Sequence, residues 1–166
     1  MTWIAPPCSA SQRAALSAAV LIDGFICTSG KGRSLYVDTL LPALAEGAAK
    51  SDRTLEALDL MIEVKVSYDR DPEVAEKATH WWAALALTPE EKEGVEDPVE
   101  MERLADNAVD RAHTRFIVSA DPQEVADKIQ PYIDLGFSEL VFHFPGNDQK
   151  RYIDEFAADV FPLLRT

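Results

Sequence analysis

Four short runs of β-type residues alternate with segments of helical periodicity, and this alternation restricts the folds open to the chain. Each run is followed by a turn and then by apolar residues spaced three or four positions apart. Strands that alternate with helices form a parallel sheet with the helices packed outside it, so the pattern predicts an α/β fold. The predicted strands are Gly24–Thr28, Met61–Tyr68, Phe116–Ser119 and Glu139–Phe144.

Helix start signals bound the predicted helices. Asp71-Pro72 and Asp121-Pro122 each place an N-cap residue before a proline in the first turn. Another helix, over Ser9–Leu21, precedes the first strand, and Asp97-Pro98 indicates a short helix inside the long acidic connection of residues 88–114. The helices that follow the four strands are predicted over residues 35–50, 71–87, 121–135 and 148–164.

The second strand distinguishes an open sheet from a barrel. Ile62, Val64 and Val66 alternate along it with Glu63 and Lys65. A strand covered by helices on both faces is apolar on both faces, whereas a barrel strand can carry polar residues toward the interior. The alternative interpretation is an edge strand with one face in water.

The length of the chain limits how much of a barrel it can form. A complete eightfold barrel takes about 250 residues, and 166 residues are too few to close one. We therefore predict half of a (β/α)8 TIM barrel over residues 23–166, with four strand–helix units, preceded by a separate helical segment, residues 1–22. The strand ends Thr28, Ser67, Ser119 and Phe144 are expected on one side of the sheet.

Composition excludes several classes of partner. The formal net charge of −13 argues against nucleic acid and against acidic membranes, since both need a cationic surface. Cys8 and Cys27 are too few for a disulfide framework, and no apolar run is long enough to span a bilayer. The three histidines show no spacing typical of a metal site. These features predict a soluble, cytoplasmic protein without a metal.

The strongest local signal is the turn after the first strand. Thr28 and Ser29 end the strand, and Gly30-Lys31-Gly32 leads toward the next helix. Glycines let backbone N–H groups approach an anion, and the hydroxyl and ammonium groups add donors. A glycine-rich turn with a solvated lysine explains the same residues equally well.

These segments together resemble a known family. Residues 24–32, 46–50, 61–68 and 140–149 are similar to the later half of the glucose-6-phosphate dehydrogenases that use the deazaflavin coenzyme F420. The resemblance runs from about Asp23 to Arg165. It implies the C-terminal half of a luciferase-like (β/α)8 barrel from a homodimeric oxidoreductase. Such enzymes oxidise glucose 6-phosphate to 6-phosphogluconolactone and pass hydride to F420.

The resemblance also implies site residues. Carried over segment by segment, the family's sugar-phosphate ligands fall on Thr28, Lys31, Lys92 and Arg115. The family's proton-transfer and deazaflavin-stacking residues belong to the first half of its barrel, so no catalytic residue is expected here. Most of the F420 site is likewise expected to be missing.

Three functions remain open from the sequence. The chain supplies the sugar-phosphate half of F420-dependent glucose-6-phosphate oxidation, or it is a non-catalytic phosphate-binding or pairing fragment, or it serves a luciferase-like oxidoreductase with another substrate. A half-barrel leaves sheet edges and an apolar interior uncovered. We therefore expect pairing with a second copy or with a chain that carries the first half.

Overall fold

The computed structural model describes residues 10–21 and 23–165, and it contains a parallel sheet with helices in the connections. The strands are β1 (Gly24–Thr28), β2 (Asp59–Tyr68), β3 (Ile117–Ser119) and β4 (Glu139–His143). The α-helices are α1 (Ala10–Leu21), α2 (Leu41–Ala49), α3 (Pro72–Ala78), α4 (Pro89–Lys92), α5 (Pro98–Asp106), α6 (Pro122–Asp134) and α7 (Gln149–Asp159). Short 3-10 helices span Leu55–Ala57, Thr79–Ala86, Val109–Arg115 and Phe161–Leu163.

The predicted alternation of strands and helices is confirmed, and so is the α/β class. Asp71 and Asp121 cap α3 and α6 as predicted, each accepting a hydrogen bond at 2.9 Å from the backbone N–H two residues on. The acidic connection is largely helical. The division of the chain at residue 22 stays a prediction, since residues 1–9 and 22 lie outside the described residues.

Two predicted helices are less regular than the sequence suggests. Residues 35–40 form a π-helix ahead of α2, where Pro42 has no N–H to donate to the Asp38 carbonyl. The helix predicted over residues 71–87 changes to 3-10 geometry after Ala78, and Trp82 departs from helical dihedrals. At this break in the helix, the indole N–H of Trp82 donates a hydrogen bond to the Pro145 carbonyl at 3.1 Å.

β2 lies at the centre of the sheet. Its residues 59–63 pair with β1 and residues 61–65 pair with β4, so the two neighbours occupy opposite edges, and residues 66–68 pair with β3. All these pairings are parallel, so Thr28 and Ser67 both lie toward the carboxyl-terminal ends of the strands, as a barrel segment requires. The alternative of an edge strand for residues 61–68 is wrong, because β2 is paired on both edges.

One face of the sheet carries the core. Ile62, Val64 and Val66 are fully buried there against the helices, together with Leu44 and Phe156. We call the opposite face the inner face; it carries Ile26, Thr28, Glu63, Lys65, Val141 and His143. The alternation read from β2 thus separates a packed apolar face from a polar one.

Helix α1 packs against α2 at very short distance. A Cβ added to Gly47 would lie 2.5 Å from the Leu16 carbonyl oxygen and 2.7 Å from the Ala19 Cβ, so glycine is required at this crossing.

Within the described residues, no helix is long and apolar enough to cross a membrane.

Candidate functional site

The turn after β1 is fixed from both sides. The Ser29 N–H donates to the Glu63 carbonyl at 2.7 Å, and the Ser29 hydroxyl accepts from the Lys65 N–H at 3.1 Å. Gly30 has a φ of +79°, a conformation that favours glycine. The Tyr36 hydroxyl donates to the Thr28 carbonyl at 2.9 Å. The turn is therefore held in one conformation rather than left as a mobile loop.

Thr28 and Lys31 line one cavity of about 380 Å³. Successive residues of β1, residues 25–28, line the cavity, and its other walls are mainly apolar, with a contribution from Leu35. Cys27 also lines it, and burial raises the pKa of its thiol to about 11. The thiol is therefore protonated at neutral pH, which leaves Thr28 and Lys31 to bind a polar ligand.

Arg115 lies beside the same turn. A Cβ placed on Gly30 would lie 3.6 Å from the Arg115 carbonyl oxygen, so the end of the Val109–Arg115 helix abuts the turn. The Arg115 Nε is buried and lacks a hydrogen-bond partner within the described part of the chain. An anionic ligand that accepted a hydrogen bond from this guanidinium would stabilise it.

Lys92 is connected to the turn after β1 only indirectly. It ends α4, which begins at a capping box between Thr88 and Glu91. Glu91 forms an ion pair at 2.5 Å with Arg111, on the same 3-10 helix as Arg115. The structure therefore places Thr28, Lys31 and the Arg115 backbone at one turn. The Glu91–Arg111 pair connects α4, which ends at Lys92, to the helix of Arg115. Convergence of all four side chains on one ligand stays a prediction.

A hydrogen-bonded network on the inner face was not among the predicted site residues. The Glu63 carboxylate accepts from the Thr28 hydroxyl at 2.8 Å and from the Lys65 ammonium at 2.6 Å, and its second oxygen lies 3.0 Å from the His143 Nδ1. Lys65 also donates to the Thr28 hydroxyl. We call these four side chains, from three neighbouring strands, the polar network.

Aromatic rings hold the His143 end of the polar network. The Trp82 and Phe116 rings meet the imidazole edge-on, with centroids 4.4 and 5.7 Å away. Trp82 is fixed in turn by its hydrogen bond to Pro145. This packing directs His143 toward Glu63, so the imidazole positions the carboxylate.

The sequence carried part of the signal for the polar network. Glu63 and Lys65 stand out in the alternation of β2, but His143 lies in a run that is apolar apart from it. Only the pairing of β4 with β2, with His143 opposite Lys65, brings the histidine to the carboxylate. No local pattern encodes that register.

The surroundings of Glu63 keep it ionised. Partial burial alone would raise its pKa, but hydrogen bonds from Lys65, Thr28 and His143 outweigh this effect and lower the pKa from 4.5 to about 2. A carboxylate with so low a pKa is an acceptor at any physiological pH. It does not serve as a proton donor.

We predict that Glu63→Gln changes the pH dependence of stability. A depressed folded-state pKa contributes stability that is present above about pH 4.5 and is lost as the pH falls toward 2. In urea unfolding, the stability advantage of the native chain over Glu63→Gln should shrink by on the order of 2 kcal/mol between pH 6 and pH 3. Glu73→Gln, at an exposed position on α3, is the control. An advantage that is constant with pH would contradict the assigned network.

Comparison with protein families identifies the chain's relatives. The model of the luciferase-like monooxygenase family matches residues 3–139. An F420-dependent glucose-6-phosphate dehydrogenase of Beutenbergia cavernae is 62% identical over 144 residues, which is 86% of this chain and 43% of that protein. The enzymes of the same name from Intrasporangium calvum and Rhodococcus jostii are 58% and 54% identical over the same shares. The chain thus spans less than half the length of the curated relatives it matches.

Solved structures agree with the fold. An F420-dependent secondary alcohol dehydrogenase in complex with an F420-acetone adduct superposes with a TM-score of 0.75 at 21% identity, over 93% of this chain and 47% of that one. The F420-dependent tetrahydromethanopterin reductase of Methanopyrus kandleri gives 0.68 at 20% identity, over 91% and 48%. These neighbours are TIM-barrel proteins, so the prediction of about half a barrel is confirmed. With the family match across most of its length, the chain belongs to the luciferase-like monooxygenase family.

Proposed function

We propose that this chain forms the sugar-phosphate-binding part of an oxidoreductase that oxidises glucose 6-phosphate with F420 as hydride acceptor. The observation that carries the proposal is the fixed turn after β1, which holds Thr28 and Lys31 on one cavity beside Arg115. The relatives named F420-dependent glucose-6-phosphate dehydrogenase support the choice of substrate. The proposed role of this chain is to bind and orient the substrate through this turn.

The charge distribution supports an anionic ligand at this turn. On a chain with a net charge of −13, an exposed Lys31 next to Arg115 is a local cationic feature. A phosphate dianion is best held by several converging cationic and hydroxyl donors, and a guanidinium adds paired N–H groups. Lys92 is proposed to join them from α4.

The described residues offer F420 one wall. On the inner face, Ile26 is 60% exposed and Val141 44% exposed, so a planar ring laid against them would stay open to water on its other side. The deazaflavin supplies the hydride-accepting chemistry, but these residues alone do not enclose it. This chain's proposed part is therefore to hold the phosphorylated end of the substrate.

Calorimetric titration tests the proposal. Glucose 6-phosphate should bind weakly and glucose should bind less, because the phosphate makes the charged contacts. A parallel absorbance assay with F420 should show no coenzyme reduction by the 166-residue chain alone. Equal binding of the two sugars would overturn the phosphate site, and turnover by the chain alone would overturn the assignment of binding without chemistry.

The uncovered inner face supports association with another chain. β1 and β4 each have only β2 as a strand partner among residues 10–21 and 23–165, which leaves one free edge on each. Ile26 and Val141 add exposed apolar surface between these edges. For the chain on its own, the proposed occupant of these free edges is a second copy. A cytoplasmic location is also proposed, in agreement with the free thiol of Cys27.

We predict self-association at micromolar concentration. Sedimentation velocity should show a dimer or larger species, and Ile26→Glu should shift the population toward monomer, since it places a charge in the contact. Val99→Glu is the control, because Val99 is 70% exposed on α5, away from the inner face. A cooperative monomer at this concentration would contradict the proposed contact.

A further inference from the structure

The position of Glu63 is unexpected for a phosphate site. Its carboxylate accepts the Thr28 hydroxyl hydrogen bond at 2.8 Å, although Thr28 is a predicted phosphate ligand. A hydroxyl has a single proton, so the Thr28 hydroxyl donates to a phosphate only by giving up its hydrogen bond to Glu63. A fixed negative charge at this distance also repels a phosphate dianion.

Lys65 compensates this charge only in part. Its ammonium lies 2.6 Å from Glu63, and the side chain of Lys65 is 8% exposed while that of Glu63 is 30% exposed. The Lys65 ammonium is thus buried, and the Glu63 carboxylate is the member of the ion pair that is exposed to solvent. A ligand that approaches from the inner face meets the anion first.

A partly exposed, ionised carboxylate is a strong acceptor for hydroxyl groups. Thr28, Lys65 and His143 hold Glu63 in one orientation, so little side-chain entropy is lost when a further donor binds. Hydrogen bonds from neutral donors to a charged acceptor are among the stronger ones in proteins. A sugar phosphate carries several such hydroxyl donors on its sugar, whereas inorganic phosphate has no sugar hydroxyl groups.

We propose that Glu63 is a specificity-determining residue that accepts hydrogen bonds from the polyol of a sugar phosphate and repels phosphates that lack one. This proposal rests on the proposed phosphate site at Thr28 and Lys31. Attraction to one ligand and repulsion of its competitor both increase the difference in affinity between them. Lys65 and His143 act as positioning residues, which orient the carboxylate without meeting the ligand.

Titrations with inorganic phosphate and glucose 6-phosphate test this role. In the native chain, glucose 6-phosphate should bind more tightly than inorganic phosphate. Glu63→Gln should strengthen binding of inorganic phosphate and weaken binding of glucose 6-phosphate, and the ratio of the two dissociation constants should change about tenfold or more. Glu73→Gln, at an exposed position on α3, should leave the ratio unchanged.

A second variant separates the two effects and guards against misfolding. Glu63→Asp keeps the negative charge but withdraws it by one methylene, so it should lose affinity for glucose 6-phosphate without gaining affinity for inorganic phosphate. Far-ultraviolet circular dichroism verifies that both variants fold. If the native chain binds both ligands and Glu63→Gln leaves their ratio unchanged, the specificity role is overturned while the phosphate site stands. If the native chain binds neither ligand, the proposed function itself fails and the specificity role fails with it.

Discussion

Replacing Lys31 by alanine is expected to weaken the binding of glucose 6-phosphate about tenfold or more, the loss typical of one charge-assisted contact. Lys31 is exposed at the mouth of the cavity that it shares with Thr28, so its ammonium reaches a ligand without rearrangement of the turn. Solvent screening reduces the effect below that of an enclosed charge. The measurement is calorimetric titration at low ionic strength, where the contribution of an exposed charge is largest.

A neighbouring cavity offers a competing position for the anion. Lys31 also borders a cavity of about 280 Å³ with Arg33, Lys128 and Tyr132, on the side of the turn that faces α6. Lys128 is paired there with Glu124 at 2.6 Å, which lowers its availability to a ligand. The proposed position of the phosphate is therefore the cavity beside Thr28.

Matched variants distinguish the two cavities. Thr28→Val should weaken binding if the phosphate lies beside Thr28, whereas Arg33→Ala should have little effect. Lys77→Ala removes an exposed lysine that is paired with Glu73 on α3 and serves as the control for the change in net charge. Loss of binding in Arg33→Ala together with native affinity in Thr28→Val would move the site to the second cavity.

The local parts of the architecture were accessible from the sequence because local chemistry determines them. The aspartate–proline pairs at residues 71 and 121 mark helix starts whatever the tertiary structure, and the structure has helices there. The alternation along β2 likewise depends only on which faces are buried. These signals therefore predicted the order of elements and the existence of a polar inner face.

The contacts between distant segments were not accessible in this way. β4 is paired directly with the first half of β2, which brings His143 across 80 residues of sequence to Glu63. The Glu91–Arg111 pair that joins α4 to the helix of Arg115 is similarly non-local. Register and ion pairing of this kind depend on how the helices pack, so a single sequence does not reveal them.

The last helix shows the same limit on a smaller scale. Apolar residues recur along it at Ile153, Phe156, Val160 and Leu164, a spacing typical of a helix with one apolar face. Phe156 and Val160 are buried and Leu164 is half-buried, but Ile153 is 55% exposed and Tyr152 is buried in its place. Tyr152 stacks on Phe144 with ring centroids 6.2 Å apart, so a contact with β4's extension decides the orientation of the first turn.

Phe156→Ala is expected to be the most destabilising substitution considered, at about 3–5 kcal/mol. The Phe156 ring is 2% exposed and joins α7 to the sheet, with centroids 4.7 Å from Phe142 and 5.2 Å from both Phe144 and Phe161. Truncation removes the apolar burial and leaves a cavity between rings that cannot all close in. In a chain of this size the midpoint of thermal unfolding should fall by on the order of 10 °C.

Ile153→Ala on the same helix is the matched control for this core contact. Ile153 is also large and apolar, but with 55% of its surface exposed it loses little burial on truncation. Its unfolding midpoint should change by a small fraction of the change in Phe156→Ala. Thermal unfolding followed by circular dichroism, with both variants at the same protein concentration, compares them directly. Equal losses in the two variants would show that helix α7 is not anchored through Phe156, and the packing of β4 against α7 would have to be reassigned.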